Sequence, residues 1–190
     1  MCIPGPGRVS LSRNEKGTRT SGADSDGVAR LTRMQDVEPD KWQRRFLSLT
    51  DEISGWSKDP SRGVGAVIVS PSRQIVASGF NGLPRGLEDT PDRLQRPVKY
   101  DLTVHAELNA IIQCARNGVS PIGCTIYSSF SPCVQCAIAI SQSGIKQVVT
   151  YALDEDDERW VESIGKAVTV FEETGIEYHQ FNRTSDPLRA

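Results

Sequence analysis

Two short segments contain residue types that could hold a metal ion and use it. Cys133 and Cys136 form a C-x-x-C pair, and two thiols at this spacing can ligate one ion. His105 and Glu107 add an imidazole and a carboxylate in the segment His105-Ala106-Glu107. A C-x-x-C pair taken alone would fit a redox-active dithiol equally well. The histidine and the carboxylate therefore turn the prediction toward a metal site.

The predicted secondary structure brings the two segments together. Hydrophobic spacing predicts one helix over residues 105–116 and another over 132–143, the latter capped by Ser131, and each follows a predicted strand. Because the carboxyl ends of adjacent parallel strands face one crevice in an open α/β sheet, both helix starts should meet there. The unpaired N–H groups at a helix start also favour thiolates.

This arrangement predicts a catalytic zinc site. Three protein ligands, His105, Cys133 and Cys136, leave the fourth tetrahedral position of Zn²⁺ open to water. Glu107 lies two residues after His105, so that on a helix it would point about 200° away. We therefore expect Glu107 beside the attacking water, as the general acid–base group, rather than on the metal.

Other interpretations of these residues stay open at this point. His105 could be a core histidine that lies beside a coincidental C-x-x-C pair. A purely structural zinc would need a fourth protein ligand, for which Cys114 and Cys124 are the candidates. We expect both of these cysteines to be ordinary buried thiols, and we interpret His179 as a structural or exposed residue.

The order of predicted elements defines the fold class. From residue 38 onward the hydrophobic pattern predicts the order αββαβαβαβ, with strands over 64–69, 75–80, 124–128, 146–151 and 176–181. The first two strands form an antiparallel hairpin. Residues 81–103 form a long loop without a clear period, and 154–157 form an acidic turn. The prediction is an α/β fold, a three-layer αβα sandwich around a five-stranded mixed sheet.

Composition limits the class of protein further. The chain has 190 residues, five cysteines and a net charge of −2, and this charge argues against a broad basic surface for nucleic acid. An odd number of cysteines disfavours a disulfide framework, and no apolar run is long enough for a signal peptide or a membrane span. We therefore expect a cytoplasmic protein that binds neither membrane nor nucleic acid.

The chain is predicted to contain one folded domain. Residues 1–36 are predicted to be a disordered tail, 37–183 the folded domain and 184–190 a flexible C-terminus. Residues 1–33 carry six basic and three acidic side chains, so that the rest of the chain has a net charge of about −5. Met34 offers an alternative start. Two interpretations of residues 1–33 stay open: an upstream extension of the reading frame, or a genuine basic tail.

Several segments resemble the zinc nucleobase deaminases, and among them the deoxycytidylate (dCMP) deaminases. The general signature is H-x-E followed by P-C-x-x-C. The chain adds SKDPSRGVGAVIV at 57–69, GFNGLPRG at 79–86, SGIKQVV at 143–149 and FEETGI at 171–176. The resemblance covers about residues 40–181 and implies a cytidine-deaminase-like fold.

The resemblance implies an activity and its partners. It implies zinc-dependent hydrolysis of dCMP to dUMP and ammonia, which feeds thymidylate synthesis. Because residues 57–104 contain no Cys or His for a second site, we expect one catalytic Zn²⁺ per chain. Relatives of this kind are commonly homo-oligomers, from dimer to hexamer, and are regulated by dCTP and dTTP with Mg²⁺.

The resemblance also suggests substrate contacts. Asn81 should bind the sugar hydroxyl and the base, the Ala106 N–H should bind the pyrimidine O2, and Phe130 should pack against the ring. The phosphate is assigned to Arg85, since a glycine-rich turn with an arginine suits a nucleotide anion. Arg116 is a second phosphate candidate. The charged loop residues Arg93, Arg96 and Lys99 are interpreted as surface charges.

Two other functions are carried alongside this one. The string Phe130-Ser131-Pro132-Cys133 is similar to the Trp-Ser-Pro-Cys of polynucleotide cytosine deaminases. The alternative is thus another zinc deaminase of the same fold that acts on a nucleoside, dCTP, guanine or cytosine in a single-stranded polynucleotide. A non-catalytic zinc-binding homologue is the third interpretation, against which the presence of Glu107 argues.

Overall fold

A computed structural model describes residues 38–153 and 159–183 of the chain. The predictions of a disordered tail over 1–36, a start at Met34, an acidic turn over 154–157 and a flexible segment over 184–190 all lie outside the described residues. Among the helices of the described ranges, none is both long and apolar enough to cross a membrane.

The described residues contain five helices and five strands. The helices are α1 Lys41–Ser54, α2 Lys99–Leu102, α3 Ala106–Asn117, α4 Val134–Gln142 and α5 Val161–Thr174, and the strands are β1 Gly65–Val69, β2 Ile75–Phe80, β3 Thr125–Ser128, β4 Gln147–Tyr151 and β5 Glu177–Phe181. The sequence pattern predicted all of these except the four-residue helix α2. The predicted long loop contains α2 and is closed at its base by a bridge between Gly82 and Val104.

The five strands form one mixed sheet in the order β2-β1-β3-β4-β5. Strand β1 runs antiparallel to both of its neighbours, whereas β3, β4 and β5 are parallel to one another. One expectation was wrong: β2 and β3 point in the same direction but are not adjacent, because β1 lies between them. Their carboxyl ends still lie at the same edge of the sheet, which is what the site requires.

Helices cover both faces of the sheet, which confirms the three-layer arrangement. Successive residues of a strand point to opposite faces. On one face, Val67 and Val69 of β1 pack with Phe46 and Leu47 of α1. The other face packs against α3, α4 and α5 through a larger buried cluster that includes Ala66, Ile68, Ala110, Ile126, Ile140, Val148, Ile164 and Phe171.

A row of small and polar residues crosses the sheet at its carboxyl edge. Gly79, Ala66, Ser128, Thr150 and Gln180 are successive cross-strand partners, one from each strand. All five are buried. We call this set the cross-sheet row, and the active site is built on it.

Gly79 allows α3 to begin directly on the cross-sheet row. A Cβ at this position would lie 2.5 Å from the backbone nitrogen of Ala110, and it would also overlap the carbonyl oxygen of Ala106. These are backbone atoms of the first turns of α3, and they could yield only if the helix moved. A residue without a Cβ is therefore needed here.

We predict that Gly79→Ala is strongly destabilising. The added methyl group should force α3 away from β2 and lower the free energy of unfolding by about 1–3 kcal/mol. Gly165→Ala in α5 is the matched control, because a Cβ there meets nothing within 4 Å. The control should be neutral or stabilising by up to about 1 kcal/mol. Urea denaturation of both variants checks this, and equal stability of the two would contradict the close packing.

Candidate active site

Two metal-ligand candidates occupy the N-cap positions of two helices without forming a side-chain cap hydrogen bond. His105 is the N-cap residue of α3 and Cys133 is the N-cap residue of α4, both with extended backbone, and Cys136 lies in the first turn of α4. The helices begin one or two residues later than predicted, and Ser131 is not the cap. The argument that Glu107 points about 200° from His105 therefore does not apply, since His105 precedes the helix.

The three ligand candidates are close enough to share one ion. The Nδ1 atom of His105 lies 3.4 Å from the Sγ atoms of both Cys133 and Cys136. All three atoms lie within 4.8 Å of one another. Tetrahedral zinc with ordinary Zn–N and Zn–S bonds separates neighbouring ligand atoms by about 3.5–3.8 Å. The donor set and its spacing thus fit zinc.

The other two described cysteines do not join this cluster. Cys114 and Cys124 are buried in the hydrophobic core and are free thiols. Within residues 38–153 and 159–183, no fourth protein ligand therefore completes a closed structural site. Cys133 and Cys136 are likewise free and not joined in a disulfide.

The electrostatics of the cluster favour metal binding. The pKa of Cys133 is lowered to about 4, because Cys136 hydrogen-bonds its sulfur and His105 lies against it. The same contact with Cys133 raises the pKa of His105. The cluster therefore holds one thiolate at neutral pH, the form that binds metal. A metal would displace the remaining protons from His105 and Cys136.

Glu107 lies beside the ligands in a buried position. Its side chain is 4% exposed, and its Oε2 atom lies 3.5 Å from the sulfur of Cys136. The Ser128 hydroxyl, a member of the cross-sheet row, donates a hydrogen bond of 3.2 Å to Oε1. Burial raises the pKa of Glu107. A carboxylate whose pKa is raised in this way is better suited to take up and return a proton.

Gln180 supports the other ligand segment from the same row. Its side-chain amide donates a 2.9 Å hydrogen bond to the Ser131 hydroxyl, two residues before Cys133. The Ser131 hydroxyl in turn donates to the Tyr151 carbonyl and accepts from the Tyr178 hydroxyl. Ser131 thus fixes the entry to α4 instead of capping it.

The pocket at this edge of the sheet brings together several predicted contacts. Asn81, Ala106, Phe130 and the metal ligands His105 and Cys133 all line it. Phe130 meets the ring of Trp160 edge-to-face, with centroids 5.9 Å apart, so that two aromatic residues form one wall. The contacts of Ala106 and Phe130 with the base stay predictions. The positions of both residues in the pocket lining are compatible with such contacts.

Asn81 has a structural task that the sequence did not indicate. Its Oδ1 accepts the Val64 N–H at 2.7 Å, and its Nδ2 donates to the Arg62 carbonyl at 3.0 Å. An asparagine side chain can form two further hydrogen bonds, one as donor and one as acceptor. The predicted substrate contact of Asn81 therefore stays a prediction, with half of its hydrogen-bonding capacity already used.

The structure does not bring Arg85 or Arg116 to this pocket. Both line a separate groove with Trp56, Ile75 and Phe80, beside the edge strand β2. The Arg85 guanidinium donates to the Gln113 side chain at 3.1 Å, on the outer side of α3. The reason is that the chain leaves β2 and returns through the Gly82–Val104 bridge, which carries residues 83–86 away from the ligands.

Lys99 is a buried residue and not the predicted surface charge. It is 6% exposed, and its ammonium group donates to both carboxylate oxygens of Asp59, at 2.7 and 2.9 Å, and to Ser61 at 2.9 Å. Burial works to raise the pKa of Asp59, but these hydrogen bonds hold that pKa below its usual value. The pair fastens the long loop to residues 59–61 over the pocket.

Sequence reasoning missed several residues that line the pocket. These are Asp59, Ser61, Arg62, Tyr100, Arg159 and Trp160, and Arg96 was assigned to the surface. The family resemblance included residues 57–69, but no local sequence pattern indicated that side chains of this segment line the pocket. Their partners lie up to 40 residues away in sequence.

The fold and the site together define a class of enzyme. Three ligands and an open position suit a catalytic zinc, which when bound supplies a nucleophilic water at neutral pH. Glu107 can move protons beside that position, and H-x-E with P-C-x-x-C is the pattern of zinc-dependent nucleobase deaminases.

Comparisons with known proteins place the chain in one family of that class. Residues 40–152 match the family model described as the cytidine and deoxycytidylate deaminase zinc-binding region. An uncharacterized deaminase from the luxG 3′ region of Aliivibrio fischeri is 42% identical over 138 residues, which cover 72% of this chain and 91% of that protein. The chain belongs to the cytidine and deoxycytidylate deaminase family.

Two further comparisons agree with this assignment. Deoxycytidylate deaminase of Mus musculus is 34% identical over 147 residues, covering 74% of this chain and 80% of the mouse protein. The dCMP deaminase of cyanophage S-TIM5, solved with dCMP and dUMP, shares the fold with a TM-score of 0.61 at 24% identity. That match covers 76% of this chain and 99% of the phage chain.

We predict that Glu107→Gln removes activity without removing zinc. Loss of the proton carrier should lower kcat for ammonia release by about 10²–10⁴-fold. Zinc content should stay at the wild-type level because no ligand is changed. Glu162→Gln, at an exposed ion pair with Lys166, is the control and should behave as wild type. Retention of more than about a tenth of the activity with zinc bound would contradict the role of Glu107.

Proposed function

We propose that this protein catalyses the hydrolytic deamination of dCMP to dUMP and ammonia, and so supplies dUMP for thymidylate synthesis. The observation that carries the proposal is the similarity to the mouse deoxycytidylate deaminase, which extends over most of both chains. The buried pairing of Glu107 with a three-ligand zinc cluster provides the chemistry.

The residues of the pocket divide the reaction between them. The oxygen of water adds to C4 of the base while the Glu107 carboxylate takes a proton from that water. Glu107 then delivers this proton to the ring nitrogen N3. A second transfer carries the proton of the new C4 hydroxyl to the amino group, so that the C4–N bond breaks, ammonia leaves and the C4 carbonyl of dUMP forms. The Ala106 N–H, at the uncapped start of α3, is suited to hold O2 of the pyrimidine.

Oligomerisation is proposed from the outer surface of the helices. Leu108 and Ile112 on α3 and Ile138 on α4 are each at least 36% exposed although they are large apolar residues. Such residues on neighbouring helices suit contact with a second copy of the chain. We propose a homo-oligomer, between a dimer and a hexamer. A cytoplasmic location is proposed because an odd number of cysteines fits a reducing compartment.

Regulation by dCTP and dTTP with Mg²⁺ is proposed at a place apart from the catalytic pocket. The groove beside β2 is lined by Arg85, Arg116 and the bridge residue Gly82. Two arginines in one groove suit a polyphosphate.

A substrate panel tests the proposed function. Ammonia release by the zinc-loaded protein is measured on dCMP, CMP, dCTP, deoxycytidine and a cytosine-containing oligonucleotide. We expect dCMP to give the highest kcat/KM, because family members with these motifs act on the nucleotide. A preference for deoxycytidine, dCTP or the oligonucleotide would keep the zinc chemistry and overturn the substrate.

Adding dCTP·Mg²⁺ or dTTP·Mg²⁺ to the same assay tests regulation. We expect dCTP to raise and dTTP to lower the rate at low dCMP, and sedimentation velocity to show an oligomer. Arg85→Ala should bring the ratio of rates with and without effector toward one. A monomer whose rate neither nucleotide changes would contradict both proposals.

A further inference from the structure

The aromatic wall of the pocket belongs to a segment that is anchored on both sides. Phe130 lies between Ser129 and Ser131, two buried residues in the chain that runs from β3 to α4. Side chains of β5 hydrogen-bond the Ser131 hydroxyl. The Ser129 N–H donates to the Gly65 carbonyl at 2.9 Å, and the Ser129 hydroxyl accepts the Gly65 N–H at 3.0 Å. The ring of Phe130 is thus carried by a short piece of chain between two fixed points.

Arg183, two residues after the end of β5, adds a contact at the peptide group next to Phe130. Its Nη2 atom donates a hydrogen bond to the Ser129 carbonyl, which belongs to the peptide group that joins Ser129 to Phe130. Because a peptide group is planar, a bond to this carbonyl fixes the plane from which the backbone of Phe130 continues. Arg183 therefore acts on the orientation of the Phe130 ring without touching the ring.

Arg183 is itself held by residues of two other elements. Its Nη1 atom donates to Asp51 Oδ1 in α1 at 3.0 Å, and its guanidinium carbon lies 4.2 Å from the ring centroid of Tyr151 in β4. The Tyr151 hydroxyl donates to the other oxygen of Asp51 at 3.1 Å, and the Asp51 side chain is only 7% exposed. The planar fork of an arginine can serve a carboxylate and a carbonyl from separate nitrogens while its face stacks on a ring. The guanidinium is thereby held in one orientation.

The position of the Phe130 ring matters for binding of the base. Phe130 lines the pocket together with Ala106 and His105, and it is the residue predicted to pack against the pyrimidine. Dispersion contacts weaken steeply with distance, so that a gap of about 0.5–1 Å already forfeits a quarter to a half of their energy. The metal ligands and Glu107 lie at the starts of α3 and α4 instead. A shift of the 129–130 peptide group should therefore weaken base binding more than it disturbs proton transfer.

We propose that Arg183 is a positioning residue for the reaction, which fixes the peptide group before Phe130 so that the Phe130 ring packs against the base of the substrate. This inference rests on the proposed function, because it requires a base in the pocket. It gives the last residues of the described chain a part in substrate binding that no sequence motif indicated.

The first test separates KM from kcat. Arg183→Ala should raise KM for dCMP about 3–10-fold, the range of one aromatic contact, and leave kcat within about twofold of wild type. Zinc content should stay at the wild-type level because no ligand is changed. Arg183→Lys keeps the charge but not the planar fork, and its KM should fall between those of wild type and Arg183→Ala.

A purely structural role of Arg183 predicts a different result. It would lower the unfolding temperature and the fraction of active enzyme, while KM of the folded enzyme stayed at the wild-type value, and that result would overturn the proposal. Arg45→Ala is the matched control, because Arg45 also stacks on a ring, that of Trp42 at 5.1 Å, and neither residue lines the pocket. This control should keep the wild-type KM.

A double-mutant cycle tests whether Arg183 acts through Phe130. In a Phe130→Ala background no ring remains to be positioned, so that adding Arg183→Ala should change KM less than about twofold. Phe130→Leu, which keeps an apolar side chain, replaces Phe130→Ala in the cycle if the alanine variant does not fold. Effects on KM that simply add in the double variant would overturn the proposal.

The choice of substrate keeps this test separate from that of the proposed function. The cycle uses the member of the substrate panel that wild type deaminates with the highest kcat/KM, since every member presents a base to Phe130. If that substrate is not dCMP and the coupling is found, the proposed function fails and the role of Arg183 stands. If it is dCMP and the effects add, the proposed function stands and the role of Arg183 fails. A protein that deaminates no member of the panel would overturn both.

Discussion

The close contact between the start of α3 and strand β2 is the constraint on which the site depends. Gly79 permits this contact, and its cross-strand partners Ala66 and Ser128 continue the same surface toward the middle of the sheet. With the helix held at this distance, His105 and Glu107 lie at the carboxyl edge of the sheet, and the Ser128 hydroxyl donates a hydrogen bond to Glu107. A larger residue at position 79 would displace an imidazole ligand and the carboxylate together.

The same row of residues connects the two halves of the metal site. Ser128 hydrogen-bonds Glu107, and Gln180 hydrogen-bonds Ser131, which precedes Cys133 and Cys136 at the entry to α4. The carboxylate and the two sulfurs are thus both positioned by residues of one buried sheet edge. Both helices begin at a ligand, and their N-termini add positive potential at the point where thiolate charge is needed. Rigid elements thus fix the reacting groups, while loops supply the rim that meets the substrate.

The sequence predicted those parts of the structure that follow from local patterns. The spacing of hydrophobic residues predicted the layers and the order of the elements. The H-x-E and P-C-x-x-C segments identified the ligand set because the residues of each segment are close together in sequence. The rim could not be predicted in this way. The Asp59–Lys99 pair joins residues 40 positions apart, and Arg62 contacts Asn81 through its carbonyl and Phe130 through its guanidinium. The sequence did not show that Arg85 lines a separate groove, because the path of the loop after β2 depends on the Gly82–Val104 bridge, for which the sequence has no local signal.

The central claim is that His105, Cys133 and Cys136 alone hold a catalytic zinc beside Glu107. X-ray absorption at the zinc K-edge of the zinc-loaded protein tests it most directly. The account predicts a four-coordinate zinc with two sulfur ligands at about 2.3 Å and two nitrogen or oxygen ligands near 2.0 Å, one from histidine and one exchangeable. Three or more sulfur ligands would mean that another cysteine of the chain closes the site, and that result would contradict a catalytic zinc.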